Sequence, residues 1–395
     1  MKRAFALSVT AVLLTVTSLV NAAPVGAGGS DTIKVMTRNQ YIGTDLTPLI
    51  LAQTPQEFLA AAAAALTQIA ANNFPRRAKG FAREVFLTRP HAIGLQEVYD
   101  LTLNGQHVGP PFVDHLEATL DALAKAGLHY EVAGIVEHQD VTLLFDVDGD
   151  TIPDAVRVLD RDVILVQVGL AHTALGGTYP TGLCGFPIPN PVPGAPLPDT
   201  LQSTPAQDGC TYTVVAQVNS PVGTLTLKRG FLGVDVTMAG KTYRIVTTHL
   251  EPPLNQGAAF VQFLQSVELA GTLLATTPPG LALITVGDFN SSPLDLAAGP
   301  IVPPYQVMTS SGFVDAWDTN LLAFLDPDGF TCCQDSDLAN TTSLLDTRID
   351  LVFVRHTSPF QSLAAVTGRV PLFPLSVAPN WASDHAGVFA KLTFP

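Results

Sequence analysis

Six short segments carry side chains suited to metal binding and proton transfer, and each lies where an apolar stretch begins or ends. Carboxylates and carboxamides are hard oxygen ligands for Mg²⁺, Mn²⁺ or Ca²⁺, and histidine exchanges protons near neutral pH. Breaking a phosphoester needs both, because phosphoryl oxygens must be neutralised and a water activated. The segments are 36–39 (Met-Thr-Arg-Asn), 94–97 (Gly-Leu-Gln-Glu), 247–250 (Thr-Thr-His-Leu), 286–290 (Val-Gly-Asp-Phe-Asn), 348–350 (Arg-Ile-Asp) and 383–385 (Ser-Asp-His). A single acidic residue at a strand end is usually a solvated cap, so the hypothesis rests on the whole set.

In this order the segments resemble the endonuclease/exonuclease/phosphatase superfamily, which includes deoxyribonuclease I, abasic-site endonucleases, inositol-polyphosphate 5-phosphatases and bacterial sphingomyelinases. The resemblance covers roughly residues 33–395; 287–290 with 383–385 is its most specific part, and 96–97 supports it. It implies an α/β (α+β) fold of the deoxyribonuclease-I-like type: a four-layer sandwich of two mixed, mostly antiparallel β-sheets packed face to face, with helices outside. It also implies a metal-dependent phosphodiesterase of the nuclease, sphingomyelinase-like or phosphatase kind. Mg²⁺ is the expected cofactor, with Mn²⁺ or Ca²⁺ as alternatives.

The resemblance also implies a role for each matched residue. The expected residues are Asn39, Glu97 and Asp384 for the metal, and His249, Asp288, Asn290, Asp350, His385 and Glu137 for catalysis. Asp350 would orient His385, because a carboxylate bonded to one ring nitrogen fixes the imidazole tautomer. Glu137 would support His249 in the same way. The other histidines have no motif context and are interpreted as structural or solvated; they are His91, His107, His115, His129, His138, His172 and His356.

Two features outside the matched segments could bind ions. Arg161 precedes an apolar strand and could contact phosphate, since a guanidinium suits that geometry; a surface ion pair is the alternative. Alternating aspartates around a glycine resemble the start of a calcium-binding loop, although the terminal glutamate of an EF-hand is missing. They are Asp146, Asp148, Asp150 and Asp154. A structural Ca²⁺ and a solvated acidic turn both remain open.

The formal net charge of −14 bears on the substrate. Tight, nonspecific binding of nucleic acid needs a cationic surface, and no Lys/Arg stripe is visible. The expected phosphoester substrate therefore stays unresolved between nucleic acid and phospholipid, with a phosphomonoester also open. The alternative to an enzyme is a noncatalytic binding module on the same fold, which would not need every metal and proton-transfer group. No stable protein partner is implied, and we expect a monomer.

Residues 1–22 have the pattern of a secretory signal peptide. Lys2 and Arg3 precede an apolar stretch from about Ala4 to Val20, and residues 20–22 (Val-Asn-Ala) fit a cleavage site. This stretch is short for a membrane span, which needs about 20 apolar residues; an uncleaved anchor helix is the alternative. We therefore expect a secreted protein, extracellular or periplasmic.

The four cysteines should be oxidised in an exported protein. Cys184 with Cys210 is the simplest pair and would staple a Pro/Gly-rich loop. That pairing leaves the adjacent Cys332 and Cys333, whose direct bridge would be strained. Crossed pairings therefore stay open, and a zinc site is a further alternative.

The elements that must position these residues can be read from apolar periodicity. Strands are predicted at 33–37, 92–95, 130–136, 163–168, 231–236, 244–248, 281–286, 349–354 and 387–392, and helices at 56–71, 75–87, 113–126 and 256–274. Alternating and adjacent strands together indicate mixed sheets covered by helices. Residues 169–221 are rich in Pro, Gly, Thr and Ser with little periodicity. We interpret them as an ordered insertion in a single domain over 31–395.

Overall fold

A computed structural model describes residues 31–176, 205–206, 208–221, 223–372 and 378–395. The strands are β1 (Asp31–Asn39), β2 (Ala92–Gln96), β3 (Asp100–Leu103), β4 (Tyr130–Phe145), β5 (Asp154–Gln167), β6 (Ala171–Ala174), β7 (Pro205–Ala206), β8 (Gly209–Thr211), β9 (Ala216–Ser220), β10 (Gly223–Leu227), β11 (Gly230–Met238), β12 (Lys241–His249), β13 (Ala282–Asp288), β14 (Val314–Asp315), β15 (Asp350–Arg355), β16 (Gln361–Thr367) and β17 (Gly387–Phe394). The helices are α1 (Thr47–Leu51), α2 (Pro55–Ala71), α3 (Phe74–Thr88), α4 (His115–Lys125), α5 (Gln256–Thr276) and α6 (Pro304–Ser310), with a 3₁₀ turn at Ala323–Leu325.

The first sheet has the strand order β16-β17-β1-β2-β5-β3, with β4 paired to β5. Only β1 and β2 are parallel among the paired strands described in this sheet, and Asn39 lies opposite Gln96. The carboxyl ends of these two strands therefore coincide, which brings Asn39 next to Glu97 at one edge of the sheet.

The second sheet has the order β14-β15-β13-β12-β11-β8-β7, with β6 paired to β11. β12 and β13 are parallel, with His249 opposite Asp288, and β15 runs antiparallel to β13 with Asp350 opposite Asp288. A separate two-stranded ribbon is formed by β9 and β10. In each sheet, polar residues of the predicted site therefore lie at the carboxyl ends of two parallel strands.

The two sheets face each other across an apolar core. Because alternate side chains of a strand point to the same face, Val35 and Ile164 of the first sheet meet Ile245 and Ile284 of the second in one cluster. The sheets approach closely at Gly94, where a Cβ would lie 2.5 Å from Val286 Cγ2. A glycine is needed here for space, not for backbone conformation.

A chain of polar groups crosses this apolar interface. Thr37 Oγ1 donates to Gln96 Oε1 (3.1 Å), and Gln96 Nε2 donates to Thr247 Oγ1 (2.7 Å). All three residues are fully buried, and buried polar groups need partners. These bonds therefore fix the relative position of the sheets a residue or two before Asn39, Glu97 and His249.

Helices cover the outer faces. α3 and α4 pack on the first sheet, and α5 and α6 pack on the second. Among the described residues, α5 alone is long and apolar enough to cross a membrane by length and composition, but it contacts the sheet through Leu264, Leu269 and Leu273 and belongs to the core. The order of layers is helix, sheet, sheet, helix, so the predicted four-layer sandwich is confirmed.

Some elements differ from the prediction. β4 and β5 form one long hairpin that reaches Phe145 and Asp154, whereas the predicted strands covered only its far ends. Residues 139–144 in the added part of β4 alternate between half-buried and exposed, so this part lacks an apolar run. The strands β3 and β16 were not predicted either. Within 169–221, β6 and β8 pair with β11 of the second sheet, so this stretch is partly sheet and not only insertion.

The cysteine pairing can be followed for the described residues. Cys332 is bonded to Cys333, so the direct bridge that the sequence analysis disfavoured is the one present. Cys210 is disulfide-bonded, and Cys184 lies outside the described residues. The signal peptide predicted for residues 1–22 lies outside them too.

Candidate active site

Three strands of the second sheet hold His249, Asp288 and Asp350 in one row. His249 ends β12, Asp288 ends β13 and Asp350 begins β15, and the strand register makes them direct neighbours. His249 Nε2 lies 3.6 Å from Asp288 Oδ2. All three side chains are almost fully buried, so the row is held rigidly at the sheet edge.

The first sheet adds His385 to this row. His385 lies two residues before β17, and its Nδ1 is 2.8 Å from Asp350 Oδ2. Its Nε2 lies 3.8 Å from Asp288 Oδ2. The structure therefore brings Asp350 and His385 together as a carboxylate–imidazole pair, with the free ring nitrogen facing Asp288.

Backbone contacts hold this pair in position. The buried Thr331 Oγ1 accepts from the Asp350 amide (3.1 Å), and the Thr331 carbonyl accepts from the Ala386 amide (2.6 Å). Arg38 donates to the carbonyl of His385. Both ends of the Asp350–His385 pair are thus fixed by neighbours that are themselves buried.

Asn39 links the two sheets at the site. Its Nδ2 donates to Glu97 Oε1 (3.1 Å) and to Asp288 Oδ2 (3.1 Å), using both hydrogens of the amide. Its Oδ1 accepts from the Tyr41 amide (2.9 Å). One side chain therefore holds a carboxylate of the first sheet and a carboxylate of the second.

Glu97 and Asp384 are two partly exposed carboxylates on the first-sheet side. Glu97 Oε2 accepts from the Ile42 amide (3.2 Å), and Glu97 has φ of 56°, a left-handed conformation uncommon for a non-glycine residue. Burial, followed by the negative charge of Glu97, raises the pKa of Asp384 to about 6, although His385 opposes this. The two carboxylates are therefore close enough to repel each other.

Asn290 lies beside Asp288 on the second-sheet side. Its amide donates to Asp288 Oδ1 (2.9 Å), and its Nδ2 donates to the Leu250 carbonyl (2.9 Å). Its φ of 47° is left-handed, a conformation that asparagine tolerates better than most residues. Asn290 therefore orients Asp288 and joins the loops that follow β12 and β13.

Burial and neighbouring charges set the protonation of the central groups. Burial raises the pKa of Asp288 to about 7, and Asp350 adds to this while His385 and the two bonded asparagines oppose it. For His385, burial lowers the pKa, but the carboxylates of Asp350, Asp288 and Asp384 outweigh burial and raise it well above the usual range. The imidazole thus holds its proton while Asp288 titrates near neutral pH.

His249 has a different neighbour on its far ring nitrogen. Arg229 Nη1 lies 2.9 Å from His249 Nδ1. Two buried carboxylates hold the guanidinium: Asp160 Oδ2 is 3.6 Å from Nη1, and Glu251 Oε2 is 3.7 Å from Nε. Arg229 was not predicted from the sequence, because it matches no motif segment.

A second buried pair lies behind His249 and was also missed. His138 Nε2 is 3.2 Å from Asp162 Oδ2, and both side chains have no exposed surface. A Cβ on Gly230, which lies opposite His249 in the sheet, would be 3.0 Å from His138 Cε1. The available signal was alternation, since Val136 and His138 share the inner face of β4.

Glu137 and Arg161 lie elsewhere than the sequence analysis expected. Glu137 is in mid-strand in β4, opposite Arg161 on β5. Arg229 and Asp288, not Glu137, face the two ring nitrogens of His249, so the expected support by Glu137 is corrected to Arg229. The strand period explains the error, because Glu137 points away from the face that carries His138.

Arg161 forms an ion pair, but the pair is buried rather than on the surface. Its Nη2 donates to Asp114 Oδ1 (2.6 Å) and its Nε donates to the Val98 carbonyl (3.0 Å). Asp114 also caps α4, so Arg161 ties β5 to that helix. Contact of Arg161 with phosphate stays a prediction.

No protein-family model matches the chain, and no curated protein matches it. Among solved structures, the chain is similar to an endonuclease/exonuclease/phosphatase from Beutenbergia cavernae (18% identity, TM-score 0.47, covering 92% of this chain and 72% of that one). It is also similar to a Bacteroides thetaiotaomicron protein of that family (13%, 0.47, 93% and 99%) and to truncated Caenorhabditis elegans TDP2 (14%, 0.46, 92% and 98%). Members of the family that the motifs resemble are thus among the structures to which this chain is similar.

The donor set on the first-sheet side fits a divalent metal ion. Glu97 and Asp384 supply carboxylate oxygens, which are hard donors, whereas Asn39 orients Glu97 through Nδ2 and has its Oδ1 bonded to the Tyr41 amide. A cation between the two carboxylates would relieve the repulsion that raises the pKa of Asp384. Glu97 and Asp384 are therefore the residues that could hold the metal, with Asn39 orienting Glu97.

Two other groups of possible ligands have competing bonds. Asp288, Asp350 and His385 have ligand atoms within 4.8 Å of one another, but Nδ1 of His385 already bonds Asp350. The sulfurs of Cys332 and Cys333 lie equally close to His385, but they are joined to each other. We therefore place the candidate metal site at neither group.

The acidic turn lies between β4 and β5. Its carboxylates accept from amides within the turn, for example Asp146 Oδ1 from Gly149 (2.6 Å) and Asp150 Oδ1 from Ile152 (2.7 Å). Asp146, Asp148 and Asp154 have oxygens within 4.8 Å of one another, without Asp150. A structural Ca²⁺ at this turn stays a prediction.

Proposed function

We propose that this protein is a secreted, metal-dependent hydrolase that cleaves a phosphodiester with water. The observation that carries the proposal is the meeting of Asn39 and His385 from the first sheet with Asp288 and Asp350 from the second, within hydrogen-bond or ion-pair distance. This arrangement combines a base, a protonated imidazole and oxygen ligands at one edge of a rigid scaffold.

Asp288 is suited to orient the attacking water and accept its proton. Asn39 and the Asn290 amide hold its two oxygens, and its pKa of about 7 matches a base that works near neutral pH. As the water oxygen bonds to phosphorus, its proton passes to Asp288, the ester P–O bond breaks, and the leaving alkoxide takes a proton from solvent water to depart as the alcohol.

His385 is suited to stabilise the charge that develops on the phosphoryl group. Asp350 fixes Nδ1, so Nε2 carries the proton that faces the reacting centre. A proton donor at that position offsets negative charge in the transition state, where the interaction is strongest.

Glu97 and Asp384, with Asn39 orienting Glu97, would hold a divalent metal, which would supply positive charge to offset the negative charge of the reacting phosphoester. The protein side of this arrangement is fixed without it, because Asn39 and the Ile42 amide already orient Glu97. Substituting Glu97 should therefore weaken metal binding while leaving the position of Asp288 largely unchanged.

Two observations favour a phospholipid over duplex nucleic acid as substrate. The net charge is −14, which opposes the counterion-release term that drives nucleic-acid binding. Leu254, Leu294 and Leu296 are 67%, 81% and 85% exposed, on the loops that follow His249 and Asn290. Since β12 and β13 end together, these leucines lie on the site edge, where apolar side chains could enter a lipid surface.

Secretion is proposed from residues 1–22 and supported by the disulfide-bonded state of Cys210, Cys332 and Cys333, because disulfides persist in oxidising compartments. Expression of the full chain in a secreting bacterial host should release a protein whose amino-terminal residue is Ala23. A product that stays in the membrane fraction with residues 1–22 attached would support the anchor alternative.

The test of the function compares three substrates side by side: bis-p-nitrophenyl phosphate, DNA and sphingomyelin vesicles. We expect turnover that a chelator abolishes and Mg²⁺ or Mn²⁺ restores. His385→Ala and Glu97→Ala should each lower kcat by roughly 10²–10⁴-fold. His129→Ala, at an exposed histidine before β4, is the matched control and should retain full activity.

Hydrolysis that neither the chelator nor these substitutions changed would contradict the proposal. No turnover of any substrate, together with saturable binding of a phosphodiester to the folded protein, would instead support the noncatalytic binding module. Faster cleavage of DNA than of vesicles would reject the lipid substrate while leaving the reaction type intact.

A further inference from the structure

The two site histidines have partners of opposite hydrogen-bonding character. His385 Nδ1 faces a carboxylate, Asp350 Oδ2, at 2.8 Å. His249 Nδ1 faces a guanidinium nitrogen, Arg229 Nη1, at 2.9 Å. A carboxylate accepts hydrogen bonds, whereas a guanidinium has five N–H donors and no acceptor. The groups bonded to the two Nδ1 atoms therefore fix the two imidazoles in different protonation states.

The contact with Arg229 determines the tautomer of His249. Because Arg229 can only donate, Nδ1 must offer its lone pair, and the proton of the neutral ring must be on Nε2. That nitrogen lies 3.6 Å from Asp288 Oδ2. His249 thus presents an N–H, not a lone pair, to the site.

Arg229 is itself anchored. Asp160 and Glu251 lie 3.6 and 3.7 Å from the guanidinium, and both carboxylates are almost fully buried. Arg229 precedes Gly230, which pairs directly with His249 in the sheet. Burial, then the positive charge of Arg229, lowers the pKa of His249 well below its usual value, which agrees with a neutral ring.

We propose that Arg229 is a positioning residue that locks His249 as the Nε2–H tautomer, so that His249 donates a hydrogen bond to a phosphoryl oxygen and does not act as a base. This inference deepens the proposed function and rests on it for the identity of the acceptor. The two histidines then have different roles. His385 is a charged hydrogen-bond donor held by a carboxylate, and His249 is a neutral hydrogen-bond donor held by an arginine.

The tautomer can be measured without turnover. In the full-length protein labelled with ¹⁵N-histidine, two-bond ¹H–¹⁵N spectra distinguish a protonated from a bare ring nitrogen, and the spectrum of His249→Gln assigns the His249 signals. We expect a bare Nδ1 and a protonated Nε2 in the wild type, and loss of that fixed state in Arg229→Met. A protonated Nδ1 in the wild type would overturn the proposal, whatever the enzyme assay shows.

Kinetics give an independent readout on bis-p-nitrophenyl phosphate. Arg229→Met should lower kcat roughly 10- to 100-fold with little change in KM, and Arg229→Lys, which keeps a cationic donor, should keep a higher kcat than Arg229→Met. His249→Gln, which retains an N–H near the position of Nε2, should keep more activity than His249→Ala. A rise in KM alone for Arg229→Met would overturn the positioning role in favour of direct phosphate binding by Arg229.

Discussion

At the scale of single residues, the chemistry at Asp288 depends on its immediate partners. Asn39 and the Asn290 amide bond its two oxygens, while His249 and His385 face Oδ2 at 3.6 and 3.8 Å. Donors around a buried carboxylate lower its pKa, and burial raises it. The result, a pKa of about 7, is the balance a base needs near neutral pH.

Asp350→Asn should lower kcat on bis-p-nitrophenyl phosphate by roughly 10²–10⁴-fold with little change in KM. A carboxamide can present its N–H to His385 Nδ1 and so favour the wrong tautomer. Asp328→Asn, at an exposed position in the loop before β15, is the control for a charge change nearby. An Asp350→Asn enzyme within twofold of the wild type would show that His385 does not depend on this carboxylate.

The sequence identified the site residues that end or begin apolar strands, because those positions can be read from local pattern. Asn39, Asp288 and His385 were predicted from such positions, and the structure brings the three side chains together. Arg229 and His138 were missed because their importance depends on neighbours from distant segments, and no local pattern marks those neighbours. For His138 itself, the alternation of β4 was the available signal, because Val136 and His138 share the inner face of that strand.

At the scale of elements, the spacing of the sheets is set where β2 crosses the second sheet. A Cβ at Gly94 would lie 2.5 Å from Val286 Cγ2 and 2.6 Å from Thr247 Oγ1. These neighbours belong to central strands of a packed core, which cannot move apart at low cost. Glu97 follows β2 directly, so strain at Gly94 should reach the site.

Gly94→Ala should lower the free energy of unfolding by about 1–3 kcal/mol through overpacking, measured by urea denaturation with an unchanged m-value. In Gly94→Ala/Val286→Ala the Cγ2 atom is gone, so the double variant should be less destabilised than the sum of the single variants. Strict additivity would show that the close approach to Val286 does not limit the spacing.

α5 carries a buried carboxylate that makes stability depend on pH. Glu268 accepts from the Thr213 amide (2.9 Å) and hydroxyl (2.8 Å), but burial raises its pKa to about 8 against these bonds. The folded protein therefore keeps a proton on Glu268 at pH values where the unfolded chain, with an ordinary glutamate, has lost it. Stability must fall as pH rises between the two pKa values, from about 4.5 to about 8.

Glu268→Gln should remove this part of the pH dependence. The free energy of unfolding of the variant, minus that of the wild type, should rise from pH 5 to pH 8 by up to about 1.4 kcal/mol per pH unit, measured by urea denaturation at several pH values. Glu117→Gln, at an exposed position in α4, should leave the difference flat. A flat difference for Glu268→Gln as well would show that Glu268 is ionised in the folded protein.

At the scale of the whole molecule, each sheet carries half of the site. Glu97, Asp384 and His385 come from the first sheet, while Asp288 and Asp350 come from the second. The halves are joined by the Asn39–Asp288 and His385–Asp350 bonds and by the buried bridge through Gln96. Because the sequence pattern specifies strands but not how two sheets face each other, this joining could be inferred only from the family resemblance.

A metal bound only by the folded molecule must stabilise it. At a metal concentration of 100 times Kd the gain is about 2.7 kcal/mol, so Mg²⁺ should raise the thermal midpoint of the wild type by several degrees, as measured by calorimetry. Glu97→Gln should lose this shift, because it removes a charged ligand while keeping the bond from Asn39. Asp146→Asn/Asp148→Asn, which neutralises the acidic turn on the β4–β5 hairpin, should keep it. The opposite result would be a shift that Glu97→Gln retains and the turn variant loses. That result would place the metal at the hairpin instead of the junction of the two sheets, and the assignment of Glu97 and Asp384 as ligands would fail.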